Sequence, residues 1–373
     1  MTRPPAVRRP AGCPPRRAPA LRLTPALRLA SALRLALALF VPVAAIGRPL
    51  AAQPLFRSDT VLSLSLTTNL RDLLRERDST RLRWHAAELA YADGDSVRRL
   101  AVEVRARGHF RRQRGNCDFP PLSIRLPRDD ARGTLLQGNP RLKLTTSCRP
   151  GNDEFAQYIL AEYGVYRAYR TLHANAPRTR LANVTYRDSA GRQQPVTSVA
   201  FFIEMDEEVA RETSVRLRDQ LKGARFADVD STSLRSISLF EYMVGNTDWS
   251  LGGLHNIYLL QDTLGTVYPV AYDWDWSGIV NTSYARPDYR LPIKRVTERH
   301  YMGPCLTLAQ WAPTLAKFRE QRPAIEAAWS GIPGFAPRRL EQLRRYLDGF
   351  WQTIDDPGRM RSTVLRTCRL EGN

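Results

Sequence analysis

Residues 61–66 run Val-Leu-Ser-Leu-Ser-Leu, an alternation with the period of a strand that buries one face. Two longer segments of strand composition, 82–91 and 97–107, flank Ala-Asp-Gly-Asp-Ser, a hairpin signal. Further strands are predicted at 122–126, 141–145, 181–187 and 196–204, the last two joined by a polar loop containing Asp-Ser-Ala-Gly. Helical patterns interrupt this series briefly at 69–77 and at length at 153–173. They dominate after residue 206, at 207–213, 233–244, 306–318, 322–329, 337–353 and 357–367. Residues 211–230 read as a solvated connection. The pattern predicts an α+β chain of two lobes: a β-rich N-lobe over 54–205 with one inserted helix, and a mainly helical C-lobe over 206–373. Glu204, where a strand passes into helices, falls at the expected hinge.

The inserted helix carries an anomaly. Its apolar stripe consists of Phe155, Ile159, Tyr166, Tyr169 and Leu172, spaced as a packed face is, and Glu162 stands on that same stripe. A carboxylate aimed at a core needs a cationic partner, because an unpaired buried charge is costly. Arg125 and Lys143, each between apolar residues of a predicted strand, are the candidates. A surface Glu162 with its stem laid along the protein is the alternative.

Residues 245–275 concentrate the chemistry. A polar, glycine-containing loop carries Asn246, Asp248, His255 and Asn256, and the stretch ends on Asp273 and Asp275. Between them, the apolar runs 257–260 and 267–272 flank Gln-Asp-Thr-Leu-Gly-Thr and read as a β-hairpin. A hairpin brings its outer ends together, so Asn256 and Asp273 are expected side by side. An amide oxygen and a carboxylate suit Mg²⁺ or Mn²⁺, which prefer oxygen ligands, with Asp248 as a carboxylate beside the metal. The EF-hand spacing of a calcium loop is missing. An ion-binding structural loop, or an acid/base pair of Asp248 and Asp273 in a hydrolase, remain open readings of the same residues. Trp249, Trp274 and Trp276 read as packing residues.

Charge and cysteines add a location. The chain holds 56 Lys and Arg against 37 Asp and Glu, a formal net charge of +19. Residues 1–53 contain nine Arg, no acidic residue and an apolar run at 35–46 that is short for a membrane span, followed by small residues. This reads as a secretory signal cut between Ala45 and Gln53, leaving about +10 on the mature chain and no stable membrane span. That balance favours anionic partners. Of the five cysteines only Cys13 leaves with the signal, and an even number in an exported chain suggests two disulfides. Sequence proximity favours Cys117–Cys148 and Cys305–Cys368 among three connectivities. No Cys-x-x-Cys spacing supports zinc.

The order RARGHFRR, PLSIRL, NPRLKLTTS, AEYGVYRAYRTLHANAPRTR, AFFIEMDEE, GNTDWSLGGLHNIYLL and VYPVAYDWDW resembles the spore coat protein H (CotH-like) kinase family over roughly residues 100–285. The resemblance implies an atypical protein-kinase-like fold and an exported, periplasmic or extracellular kinase. Such a kinase would take ATP with Mg²⁺ or Mn²⁺ and phosphorylate a protein substrate of the envelope or secreted, on Ser or Thr, without nucleic acid. Carried over by position, Asp248 is the catalytic carboxylate, Asn256 and Asp273 hold the metal, and Glu162 is the helix glutamate. Arg125 matches the strand basic residue, where a Lys is usual; Lys143 is the substitute, and Glu204 joins the nucleotide-contacting set. Seven residues separate Asp248 from Asn256, against four in ordinary protein kinases, and no Gly-x-Gly-x-x-Gly is present. Residues 107–111, Arg-Gly-His-Phe-Arg, are the candidate phosphate cover. Because an Arg is not interchangeable with a Lys at such a site, a catalytically weak binding protein is the alternative.

Overall fold

Leu62, Leu64 and Leu66 point to one side of strand β1 (Leu62–Thr68) and are buried, while Ser63 is exposed, so the alternation read from sequence is realised. The computed structural model describes residues 54–77, 80–127, 131–218 and 220–370, all within one unit that spans Pro49–Asn373. The expected signal segment, 1–53, lies outside the described residues. After the short helix α1 (Leu70–Glu76) come β2 (His85–Asp93), β3 (Ser96–Ala106), β4 (Leu122–Arg125) and β5 (Arg141–Thr146). Helix α2 (Asp153–Leu172) follows, then β6 (Thr179–Asp188) and β7 (Val196–Ile203).

These seven strands form a closed barrel in the order β1-β2-β3-β4-β5-β7-β6. All neighbours run antiparallel except the closing pair: β1 lies parallel to β6, in register from Leu62 opposite Ala182 to Thr68 opposite Asp188. The closure corrects the expected architecture. A two-lobed kinase-like fold calls for a β-rich lobe with open edges, whereas here the first and sixth strands complete a barrel and leave no edge. The interior is mainly apolar, filled by side chains such as Leu66, Leu89, Val104, Ile124, Leu144, Val184 and Phe202.

A second cluster lies between the barrel and the helices. Helix α2 is capped by Asn152, whose side chain accepts from the Phe155 N–H (3.2 Å), and it is buried on most of its circumference. Gly164 permits this packing: a Cβ there would stand 2.1 Å from the indole of Trp329, whose Nε1 donates to the Ala161 carbonyl (2.9 Å). Helix α3 (Asp206–Glu212) leads to β8 (Arg216–Leu217), helix α4 (Ser231–Val244) and the hairpin β9 (Ile257–Gln261) and β10 (Val267–Ala271). The stretch expected as a solvated connection therefore contributes β8, which pairs with β9 and makes the hairpin a three-stranded sheet. Near the C-terminus, α5 (Leu308–Ala327) is one helix where two were expected. It contains Pro313 and Pro323, and burial of Trp311, Leu315, Phe318 and Ile325 outweighs the hydrogen bonds those prolines forgo. Helices α6 (Pro337–Asp355) and α7 (Pro357–Met360) follow, and a π-helical turn, Arg361–Leu365, continues the last of them. Both disulfides, Cys117–Cys148 and Cys305–Cys368, are those that sequence proximity favoured.

Candidate functional site

Helix α4 starts on Asp230, whose carboxylate accepts from the Ser233 N–H (2.7 Å), and ends on Gly245 in the left-handed conformation (φ 68°). The chain then doubles back: the Asn246 N–H donates to the Glu241 carbonyl (2.8 Å), and the Asn246 side-chain oxygen accepts from the Asp248 N–H (3.0 Å). Asp248 is held at both carboxylate oxygens. His255 Nε2 contacts Oδ1 at 2.9 Å, and Asn256 Nδ2 donates to Oδ2 (3.1 Å) and to the Asp248 carbonyl (2.7 Å). The hydrogen bond to Asp248 raises the His255 pKa, against the opposing effect of burial.

The hairpin does what its sequence implied. The Tyr272 N–H donates to the Asn256 carbonyl (3.1 Å), which places Asn256 beside the 272–273 end of the returning strand. Asn256 (φ 53°) and Asp273 (φ 66°) both adopt the left-handed backbone that non-glycine residues rarely use, a local cost that fixes where their side chains emerge. Two tyrosines of α2 hold that strand: the Ala271 N–H donates to Tyr169 Oη (3.0 Å) and the Asp273 N–H to Tyr166 Oη (3.1 Å). Beneath, Trp274 Nε1 donates to both carboxyl oxygens of buried Glu241 (3.1 Å each). Burial pushes the Glu241 pKa up to about 8, despite hydrogen bonds from Asn246 and Trp274 that favour the anion.

The partner of Glu162 is Arg111, which sequence reasoning placed only in a covering loop. Glu162 is 1% exposed and Arg111 7% exposed. The guanidinium lies 4.0 Å from Glu162, 3.7 Å from Asp273 and 3.2 Å from Asp275. Burial works against its charge, but Asp275, Tyr284, Glu162 and Asp273 together outweigh that and hold it firmly protonated. Burial likewise raises Glu162 well above the carboxylate range and Asp275 to about 6, with Arg111 opposing in each case. Asp275 also accepts from Tyr284 Oη (3.0 Å). Phe110 packs on Trp276 and Tyr284, with ring centroids 5.0 and 5.5 Å apart, and so seats the loop that delivers Arg111.

These groups surround a cleft of about 530 Å³ whose walls include Asp248, Asn256 and Asp273 together with Arg107, His109 and Arg111. Four sequence candidates are not among its walls: Glu162, buried behind Arg111, and Arg125, Lys143 and Glu204. Arg125 projects from the outside of the barrel, pairs with Glu103 (2.6 Å) and covers the Trp84 ring at 4.6 Å. Its alternation in the strand put it outward because its neighbours Ile124 and Leu126 occupy the interior. Lys143 pairs with Asp206 (2.6 Å) and lies 5.5 Å from the ring of Tyr272, itself a wall of the cleft. Buried Glu204 accepts from the Arg178 guanidinium (2.6 and 3.2 Å) and backbone N–H (3.0 Å), bonds that tie the end of β7 to the start of β6. Arg111 and Asp275 are visible in sequence, as part of the covering loop and as the second acid of Asp-Trp-Asp, but their pairing with each other and with Glu162 has no sequence signal.

Among the described residues, no three His, Cys, Asp or Glu side chains gather as a metal-holding group. The donor set on offer is a mixed one. Donation from Nδ2 to Asp248 leaves the amide oxygen of Asn256 as its remaining polar atom, and the half-exposed carboxylate of Asp273 shares the same cleft. Two oxygen donors with room for water or phosphate oxygens fit Mg²⁺ or Mn²⁺, which bind through few protein ligands. No protein-family model matches the chain, and no curated protein matches it.

Proposed function

We propose that the cleft transfers the γ-phosphoryl group of ATP to a hydroxyl of a protein acceptor. The observation that carries this reading is the convergence of Asp248, Asn256 and Asp273 in one cleft with the cations Arg107 and Arg111. Asn256 and Asp273 would hold Mg²⁺ or Mn²⁺, which neutralises phosphate charge when bound. Asp248, fixed by His255 and Asn256, orients the acceptor hydroxyl and takes its proton as the oxygen bonds to the γ-phosphorus. The bond from that phosphorus to the bridging oxygen breaks, and ADP leaves. Arg107 and Arg111 add positive charge at the wall where phosphates would lie, and the buried carboxylates behind Arg111 keep it in place.

Two disulfides accord with an oxidising compartment, and no helix among the described residues is long and apolar enough to cross a membrane. We place the protein in the periplasm or outside the cell, acting on envelope or secreted proteins. A second reading, a nucleotide-binding protein with little transfer activity, draws on one observation: the buried cation is an arginine shared among three carboxylates, which leaves it less charge to offer a phosphate.

The test is incubation with γ-labelled ATP and Mg²⁺ or Mn²⁺. Label is expected on the protein or an added acceptor, and Asp248→Ala is expected to lower its rate by at least about a hundredfold, the usual size of a lost proton acceptor. Wild-type transfer by Asp248→Ala would falsify the assignment. ATP-dependent stabilisation without transfer in the wild type selects the second reading.

A further inference from the structure

A second cavity, of about 1,120 Å³, shares Asp248 and His255 with the cleft. Arg290, Leu291, Met302, Arg369 and Leu370 contribute to its remaining walls. Arg369 is held there by its backbone: its N–H donates to the Gly303 carbonyl (2.9 Å), and its carbonyl accepts from the Cys305 N–H (3.1 Å), next to the Cys305–Cys368 disulfide. Its side chain is half-buried, and burial and the nearby Arg290 both disfavour its charge. Asp288, the acid that offsets this, is hydrogen-bonded to Arg290 (3.0 and 3.1 Å), and no carboxylate among the described residues lies within ion-pair distance of Arg369. The walls are also partly apolar: Leu291 and Met302 line the cavity with Leu370, which is 89% exposed.

A guanidinium without an ion-paired carboxylate among the described residues, fixed by the backbone beside apolar side chains in a cavity that reaches Asp248, is complementary to one kind of occupant. Resting on the phosphotransfer reading of Asp248, we propose that this cavity is the acceptor groove and that it selects an extended, acidic peptide segment. A carboxylate of that segment pairs with Arg369, its apolar flank lies on Leu291 and Leu370, and its hydroxyl residue reaches Asp248.

The full chain is titrated into three fluorescently labelled serine peptides of equal length, flanked by Glu, by Gln or by Lys, and anisotropy is recorded. The Glu-flanked peptide is expected to bind most tightly. Arg369→Ala is expected to weaken it about tenfold, the scale of one lost charge pair at an interface. Arg369→Glu is expected to reverse the order in favour of the Lys-flanked peptide, and Arg290→Glu, an exposed change that spares the fold, to move it in the same direction. Metal-dependent stabilisation by ATP, measured on the same samples, is expected to be unchanged in all three variants. Equal binding of the three peptides by the wild type, or a Glu preference that survives both charge reversals, overturns the groove. Loss of ATP stabilisation in the wild type with the acidic preference intact leaves the groove standing and removes the nucleotide reading.

Discussion

Arg111 faces two buried acids, Glu162 and Asp275, besides the half-exposed Asp273, so its removal strands the buried pair. Arg111→Ala is expected to cost about 3–5 kcal/mol in denaturant unfolding, because Asp275 loses its close partner at 3.2 Å and Glu162 its more distant one at 4.0 Å. Glu162→Gln, by contrast, is expected to cost less than about 1 kcal/mol: burial already favours the neutral acid, and the amide keeps its shape. Equal losses from the two variants would show that Glu162 is charged and is the main partner. Glu241 gives a second prediction at this scale. Its pKa rises from about 4.5 in an unfolded chain to about 8 in the fold, so the folded state binds the extra proton between those values. Its stabilising contribution is complete below pH 4.5 and is lost as pH rises through 8, a change on the order of a few kcal/mol. Glu241→Gln cannot titrate, so the difference in unfolding free energy between wild type and variant should shift steadily in the variant's favour from pH 5 to 8. A difference independent of pH would mean that Glu241 is ionised throughout.

The helix α4 and hairpin β9–β10 present the site through one tight junction. At Gly245 the backbone is left-handed, and a Cβ would stand 2.0 Å from the Tyr346 phenol oxygen. Gly245→Ala is expected to destabilise by roughly 2–4 kcal/mol, from backbone strain plus overpacking, and Tyr346→Phe in the same chain should recover part of it. Thermal unfolding of the single and double variants measures both effects, and no recovery would assign the whole cost to the backbone. This element was legible in sequence because its signals are local: two apolar runs, a glycine turn between them, and polar groups at both outer ends. The juxtaposition of Asn256 and Asp273 follows from the hairpin alone. Arg111 was not legible, because it stands in the aperiodic loop after β3, where nothing in the spacing says which basic residue turns inward. Arg125 misled for a different reason: the resemblance points to it, although alternation with Leu122, Ile124 and Leu126 already puts it on the outward face.

At the scale of the molecule, partners were what the sequence withheld. The pairing of β1 with β6 joins Leu62 to Ala182, far apart in sequence, and alternating residues are equally compatible with an open sheet and a closed barrel. The cysteines, being rare, carried more: of three possible connectivities, sequence proximity favoured the one that is formed. Closing loops of 31 and 63 residues, the two disulfides contribute about 3.7 and about 4.3 kcal/mol by chain entropy alone. Their consequences for the site should differ. The Cys148 carbonyl accepts from the Asp118 and Phe119 N–H groups (3.1 and 3.0 Å), so the first bridge anchors the far end of the loop that carries Arg107 and Arg111 into the cleft. The second positions Arg369 at the neighbouring cavity and touches no wall of the cleft. Replacing both cysteines of a pair by serine is therefore expected to lower unfolding stability in each case. Only Cys117→Ser with Cys148→Ser should also reduce the metal-dependent stabilisation by ATP; Cys305→Ser with Cys368→Ser should leave it intact and weaken the binding of acidic peptide. If both double variants lost ATP stabilisation to the same degree, the loop from 107 to 121 would have no special role in nucleotide binding, and the cations of the cleft would be held by the protein core as a whole.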